Sequence, residues 1–507
     1  MKRKEILLIT FIFITILSLI IVKPINDLDE IWNYNTARAI AEGLIPYKDV
    51  SMITTPLLPM TTAIFLKIFT NEIIISRILA AMLCTGILYT TYKILKQLIK
   101  EENTALICTG LIGIVCRKIY CIDYNVTVLF LALIILNQEL KNIKNVTQYN
   151  KKQDFIIGLL AGLAICTKQS IGTTLAIVVI GYKLLFVENK QQFKEYIKIA
   201  GTRAIGIMLP VTLIFIYLII NNALNDFINY AILGISTFSN KIEYVSLFNN
   251  GKIEIRILAV VVPISIIIMS GILIITSILK KENKSAKEIL TLLVYSLSII
   301  IVMYPISDEI HFLIGSFISI ISTIYIISLI GKKAYDKIKY DNKFKSYKII
   351  TFLIWILIFA SFLYIAIYNM YEYIKTEKNT EIQHFRFVTI DDDLIQKIKK
   401  IDNYVLEKEH EGKRVYILDA EAAIYMIPIN KYNKNYDMFL KGNIGKDGEE
   451  GQIKIIKQCK ENDLFLIRKE NIKTNWQTPL NVVNYVRKNL EKVEEISIYD
   501  VYKHQIH

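Results

Sequence analysis

The sequence predicts an all-α polytopic membrane bundle of about eleven spans, followed by a small α/β domain, on three observations. Of its 507 residues 53% are hydrophobic, the mean hydropathy is +0.40, and the apolar residues come in long blocks rather than at amphipathic spacing. That is a membrane composition, not a soluble core. The lysines behind the formal net charge of +14 cluster in short connections between the blocks, so membrane topology accounts for them and a nucleic-acid partner is not expected. After residue 368 the chain turns charged and its apolar runs shorten.

Met1-Lys2-Arg3-Lys4-Glu5 followed by Ile6 to Val22 lacks a small-x-small cleavage site and reads as an uncleaved first span. Further blocks run Ile73 to Leu95, Thr104 to Cys116, Ile122 to Leu136, Phe155 to Thr167, Ile171 to Val187, Ala204 to Ile220, Ile257 to Leu279, Ile289 to Met303, Phe312 to Ile330 and Ile349 to Tyr368, each read as one helix. With the N-terminus in the cytoplasm, the inner connections carry Lys96 and Lys100; Lys141, Lys144, Lys151 and Lys152; Lys190, Lys194 and Lys198; Lys280, Lys281, Lys284 and Lys287; and Lys332 through Lys348. Each satisfies the positive-inside rule. The C-terminus, with loops 23–72, 221–254 and 304–311, then lies outside the cell membrane. Thr55 to Phe69 is also apolar, but it opens with Pro56 and Pro59 and carries Lys67. A span there would invert the lysine pattern, so it is read as an interfacial helix. The expected domains are 1–368 in the membrane and 369–507 outside it.

The tail alternates short apolar runs, Arg414 to Asp419, Leu464 to Ile467 and Ile496 to Val501, with helical stretches near 451–460 and 480–491, which reads as α/β. Gly442-Asn-Ile-Gly445 and Gly448-Glu-Glu-Gly451 lack the spacing of a phosphate loop and read as surface turns. Five of the six cysteines lie in or beside predicted spans and Cys459 stands in the tail, with no disulfide framework or zinc spacing.

Two predicted helices, Thr104 to Cys116 and Phe155 to Thr167, are too short: roughly 13 residues make about 20 Å of helix against about 30 Å of hydrocarbon. Arg117, Lys118, Asp123 and Lys168 at their ends then sit at a depth where charge requires a cavity or partners, which makes them site candidates. Carboxylates also cluster directly after the first span, in Asp27-Leu-Asp29-Glu30-Ile-Trp32-Asn-Tyr34, continuing through Arg38 and Gly43 to Pro46-Tyr47-Lys48-Asp49.

That stretch resembles the GT-C membrane glycosyltransferases, especially their protein O-mannosyltransferase-like group (glycosyltransferase family 39-like), in which an Asp-Glu pair in the first outer loop precedes a helix and a Gly-x-x-Pro-Tyr-x-Asp turn. Gly158-Leu-Leu-Ala-Gly162 running to Thr167-Lys168-Gln169, and Tyr304-Pro305-Ile-Ser-Asp308-Glu-Ile-His311, are similar to two later motifs of the group, and Asp123 matches its second acidic position. The likeness covers about 370 residues of the chain. It implies a GT-C bundle that transfers sugar from a polyprenyl-phosphate donor in the bilayer to an extracytoplasmic acceptor, with Asp29 as base, Glu30 beside it and Asp123 as a second carboxylate; whether Asp27 or Asp29 is the base stays open. It implies no metal or other cofactor.

The chemistry fits such residues. Outside the membrane no nucleotide sugar is available, so the donor must cross with the bilayer, and displacement at the anomeric carbon needs a base and positive charge for the departing phosphate. Lys168 is the first candidate for the phosphate, followed by Arg117, Lys118 and His311. A secondary transporter would show duplicated halves, which are absent from this sequence; an inert scaffold leaves Asp29, Asp123 and Lys168 without a purpose; a surface-glycan polymerase or ligase stays open.

Overall fold

The computed structural model describes residues 3–25, 27–237, 241–278, 284–338, 344–469 and 478–505. The chain runs through α1 (Arg3–Ile21), α2 (Leu28–Ala41), α3 (Leu57–Ile68), α4 (Ile73–Ile99), α5 (Glu102–Val115), α6 (Tyr124–Lys141), α7 (Lys151–Thr167), α8 (Gln169–Gly181) and α9 (Lys190–Ile220). After the short α10 (Leu224–Phe227) and α11 (Ser246–Asn250) come α12 (Ile253–Ile278), α13 (Lys284–Ile299), α14 (Glu309–Ile338) and α15 (Phe344–Lys375). Every predicted apolar block is thus a helix. Among the described residues, 8 helices are long and apolar enough to cross a membrane by length and composition, and the protein is a multi-pass membrane protein. Thr55 to Phe69 contains α3, a helix of 12 residues.

Helix α5 is short, as expected, with Glu101 accepting from the amides of Asn103 and Thr104 at its start. Helix α7 is longer than the hydropathy suggested: Asn150 caps it and it takes in Lys151, Lys152 and Asp154. Charge at its start hid that turn, because Asp154 is buried and paired rather than solvated.

The chain divides into two compact units: one of residues 1–20, 80–213 and 241–371, the other of residues 21–79, 214–240 and 372–507. In the first, Gly158 and Gly162 form the contact of α7 with α9. A Cβ on Gly158 would stand 2.2 Å from the Arg203 carbonyl oxygen, and one on Gly206 2.5 Å from that of Phe155, so only glycine permits this crossing.

The second unit contains α16 (Asp392–His410), β1 (Val415–Ile417), α17 (Ala422–Met426), α18 (Gly448–Lys457), β2 (Leu464–Arg468), α19 (Leu480–Asn489), β3 (Glu491–Ile496) and β4 (Tyr499–Lys503). The sheet order is β1-β2-β4-β3, with β1 and β2 parallel and the remaining pairs antiparallel. The run Ile496 to Val501, expected as one strand, is a hairpin corner, since Ser497 turns through positive φ. Gly448-Glu-Glu-Gly451 is the first turn of α18 rather than a loop. The core of this unit is shared between distant segments: Ile31, Trp32, Tyr34 and Leu66 pack in one cluster with Phe385, Val388, Ile398, Ile417 and Val501. The segment after α1 and the tail therefore form one hydrophobic interior.

Asp402 on α16 is buried, and its Oδ1 has no hydrogen-bond partner among the described residues. Burial pushes its carboxyl up to about 8, against roughly 3.9 in an unfolded chain. A folded-state value above the unfolded one gives stability that is present below the unfolded pKa and is lost as pH rises through the folded one. Asp402→Asn is expected to raise stability at pH 8.5 by about 1–3 kcal/mol and to change little at pH 4, as read from thermal unfolding of the full chain at both values.

Candidate active site

The two groups of predicted site residues belong to different units: Asp29 and Glu30 to one, Asp123, Lys168, Arg117, Lys118 and His311 to the other.

Helix α2 follows α1 after a short turn. Asp27 is its N-cap, with Oδ1 3.0 Å from the Asp29 amide. Its carboxylate is therefore committed to the helix end, where an acid also meets the positive end of the helix dipole. Asp29, the second residue of α2, has the one exposed side chain of this helix. Glu30 points elsewhere: both its oxygens receive the Arg77 guanidinium at 2.8 Å. Arg77 is wholly buried and also donates to the carbonyls of Lys23 and Pro24, which ties the start of α2 to α4. Glu30 is thus an ion-pair partner in this arrangement, which the sequence did not disclose.

The Gly-x-x-Pro-Tyr-x-Asp stretch is a tight turn whose Tyr47 packs against Leu218 and Phe227. Gly43 and Tyr47 take positive φ, Asp49 Oδ2 accepts from the Ile45 amide at 2.8 Å, and the Tyr47 hydroxyl donates to the Thr54 carbonyl at 2.6 Å. Its tyrosine and aspartate are spent on the fold of the loop.

In the other unit, Asp123 caps α6, accepting from the amides of Asn125 at 2.7 Å and Val126 at 3.2 Å. Lys168 stands between α7 and α8, and the first turn of α8 has no side-chain cap. Its Nζ donates to Asn125 Oδ1 at 2.9 Å and lies 4.3 Å from the centroid of the Tyr124 ring. Lys168 and His311 both lie in the neighbourhood of Asp123, and α6 packs against α8 and α14. His311 is held by Asp308, whose Oδ1 is 2.9 Å from His311 Nδ1; this contact orients the ring and leaves Nε2 for another partner.

Arg117 and Lys118 stand apart from that group in their chemistry. Arg117 pairs with Glu254 at 3.5 Å and Lys118 with Glu309, so both charges are already matched. Among the described residues no group of three His, Cys, Asp or Glu side chains is arranged to hold a metal ion.

At the other end of α6, about 24 Å away along the helix, the first unit buries a second ionic cluster that sequence reasoning missed. Arg203 on α9 is 2.7 Å from Glu139 and 2.8 Å from Asp154, and Lys183 lies 3.8 and 3.6 Å from the same two acids. The Tyr182 hydroxyl donates to Glu139. Two acids and two bases balance, which reads as a tie between helices.

No family model and no curated protein matches the sequence. Solved structures that are similar over nearly the whole chain include two of one protein. ArnT from Cupriavidus metallidurans in the apo state has a TM-score of 0.55 at 11% identity, covering 98% of this chain and 97% of that one. ArnT from the same organism bound to undecaprenyl phosphate has a TM-score of 0.54 at 11% identity, covering 99% and 98%. Helical bundle, first loop and terminal sheet together, the chain has the GT-C fold that ArnT has.

Proposed function

We propose that the protein is a membrane glycosyltransferase that moves a sugar from a polyprenyl-phosphate donor to an acceptor outside the cell. The observation that carries this reading is the likeness, over 99% of the chain, to a protein crystallised with undecaprenyl phosphate. The chemistry of the candidate residues, taken within each unit separately, supports it. Asp29 is the base: the resemblance to the GT-C group implies that role and its side chain is exposed on α2, while Asp27 caps the helix and Glu30 pairs with Arg77. It takes the proton of the acceptor hydroxyl as the oxygen attacks the anomeric carbon, and the bond from that carbon to the phosphate oxygen breaks. The leaving group is polyprenyl phosphate, and charge grows on its oxygens. Lys168, beside the uncapped start of α8, supplies the compensating charge, and the helix dipole adds to it. His311 completes the phosphate contacts and Asp123 orders Lys168 and the start of α6. The N-terminus is cytoplasmic and the tail extracytoplasmic, as the lysine distribution requires.

The test is binding of undecaprenyl phosphate to the purified full chain in lipid nanodiscs, wild type against Lys168→Met. Loss of a charge-assisted contact is worth about 1.5–3 kcal/mol, so the expected dissociation constant rises roughly 10- to 100-fold. Equal affinity in the two proteins would remove Lys168 from the phosphate site; absence of saturable binding by wild type would remove the donor class.

A further inference from the structure

Helix α2 is gripped by the tail. Trp32 Nε1 donates to the Ala420 carbonyl, just beyond the carboxyl end of β1, at 3.1 Å. Six residues later the buried Arg38 guanidinium donates to the Lys431 carbonyl at 3.0 Å and to Asn430 Oδ1 at 3.3 Å, and it lies 4.2 Å from the centroid of the Tyr432 ring. Within the helix the same group reaches Asn35 at 3.1 Å and Glu42 at 3.3 Å. Asn430 Oδ1 is also 2.6 Å from His384 Nε2, so this one amide oxygen joins two parts of the tail to α2.

At 3.6 residues per turn, Glu30 lies on roughly the opposite side of α2 from Trp32, and that side is clamped by Arg77. A helix held on both flanks cannot roll about its axis. Its mean composition would not hold it unaided: Asp29, Glu30, Asn33, Asn35 and Arg38 are polar, and an isolated helix of this length is marginal in water.

We infer that Arg38 and Asn430 are positioning residues: through their contact the C-terminal tail sets the rotation of α2 and so aims Asp29. The inference rests on the reading of Asp29 as the base. It gives the tail a place in the transfer step, and it makes a residue of the tail, far along the chain, a determinant of turnover. The fork geometry of arginine is needed because four acceptors on two segments are held by one planar group.

The experiment uses the full chain in lipid nanodiscs as wild type, Asn430→Ala, Asn430→Asp and Asp29→Asn. Hydrogen exchange and release of radiolabelled sugar from polyprenyl-phosphate hexoses are measured on each. In Asn430→Ala the α2 amides are expected to exchange about tenfold faster while those of β2 and α6 are unchanged. The kcat falls roughly tenfold at constant donor KM and constant pH profile, and Asn430→Asp, which keeps an acceptor for both Arg38 and His384, restores both. Unchanged α2 exchange in Asn430→Ala overturns the inference. So does faster exchange with wild-type kcat, or a kcat loss matched by an equal loss of folded protein. Activity retained in Asp29→Asn overturns instead the assignment of the base, and is read independently of the exchange result.

Discussion

Asp29→Asn is expected to lower kcat for sugar transfer by about 10²- to 10⁴-fold, the usual contribution of a general base, with donor affinity and thermal midpoint unchanged. Asparagine has the shape of aspartate and keeps a hydrogen-bonding side chain, but it takes no proton at neutral pH. The side chain is exposed on α2, so the exchange removes little packing. The control is Asp27→Asn. Asp27 accepts from the Asp29 amide as the N-cap of the helix, a place asparagine fills about as well, so that variant is expected to keep wild-type turnover. Glu30→Gln behaves in a third way: it leaves the buried Arg77 guanidinium without its counter-charge, and loss of a partner from a buried pair costs about 3–5 kcal/mol. A stability loss in Glu30→Gln, a rate loss in Asp29→Asn and neither in Asp27→Asn would separate three neighbouring acids by role. Equal rates in wild type and Asp29→Asn would remove this carboxylate from the mechanism.

What hydropathy reads is composition, and composition was enough for the helices: each apolar block, from Ile6 to Val22 through to Ile349 to Tyr368, lies on a helix. The charged neighbours Asp27, Asp29 and Glu30 were visible as a cluster, but not the division of labour among them, because that depends on what each carboxylate meets. Asp27 meets an amide two residues away, whereas Glu30 meets Arg77 at the start of α4. Arg117 and Lys118 looked like phosphate ligands because their depth was inferred from helix length; Glu254 and Glu309, which match them, come from α12 and α14. The strand expected at Ile496 to Val501 failed for a local reason, a left-handed Ser497 that β-propensity does not register. Arg38 was part of a recognised motif, yet its partners Asn430 and Lys431 lie at the far end of the chain. Pairing between distant segments is the information that a single sequence withholds.

The largest stability effect is expected at Arg203. Its guanidinium is wholly buried, donates to Asp154 through Nε and Nη2 at 3.0 and 2.8 Å, pairs with Glu139 at 2.7 Å and donates to the Val179 carbonyl at 2.8 Å. Arg203→Met keeps much of the volume but leaves two carboxylates against the single charge of Lys183, at 3.8 and 3.6 Å. An uncompensated buried charge costs about 3–5 kcal/mol, which should appear as a large fall in thermal midpoint in lipid. The double variant Arg203→Met/Glu139→Gln restores the balance, one acid against one base, and is expected to recover a large part of that loss. Such coupling is what a double-mutant cycle detects between residues in one network. Additive losses would mean that Arg203 acts through packing; the backbone at residue 203 makes its own close contact, since a Cβ on Gly158 would stand 2.2 Å from the Arg203 carbonyl oxygen, and Arg203→Met leaves that contact in place. Gly158→Ala then serves as the comparison, since it disturbs the crossing of α7 and α9 without touching a charge, and the Glu139→Gln substitution should give it no relief.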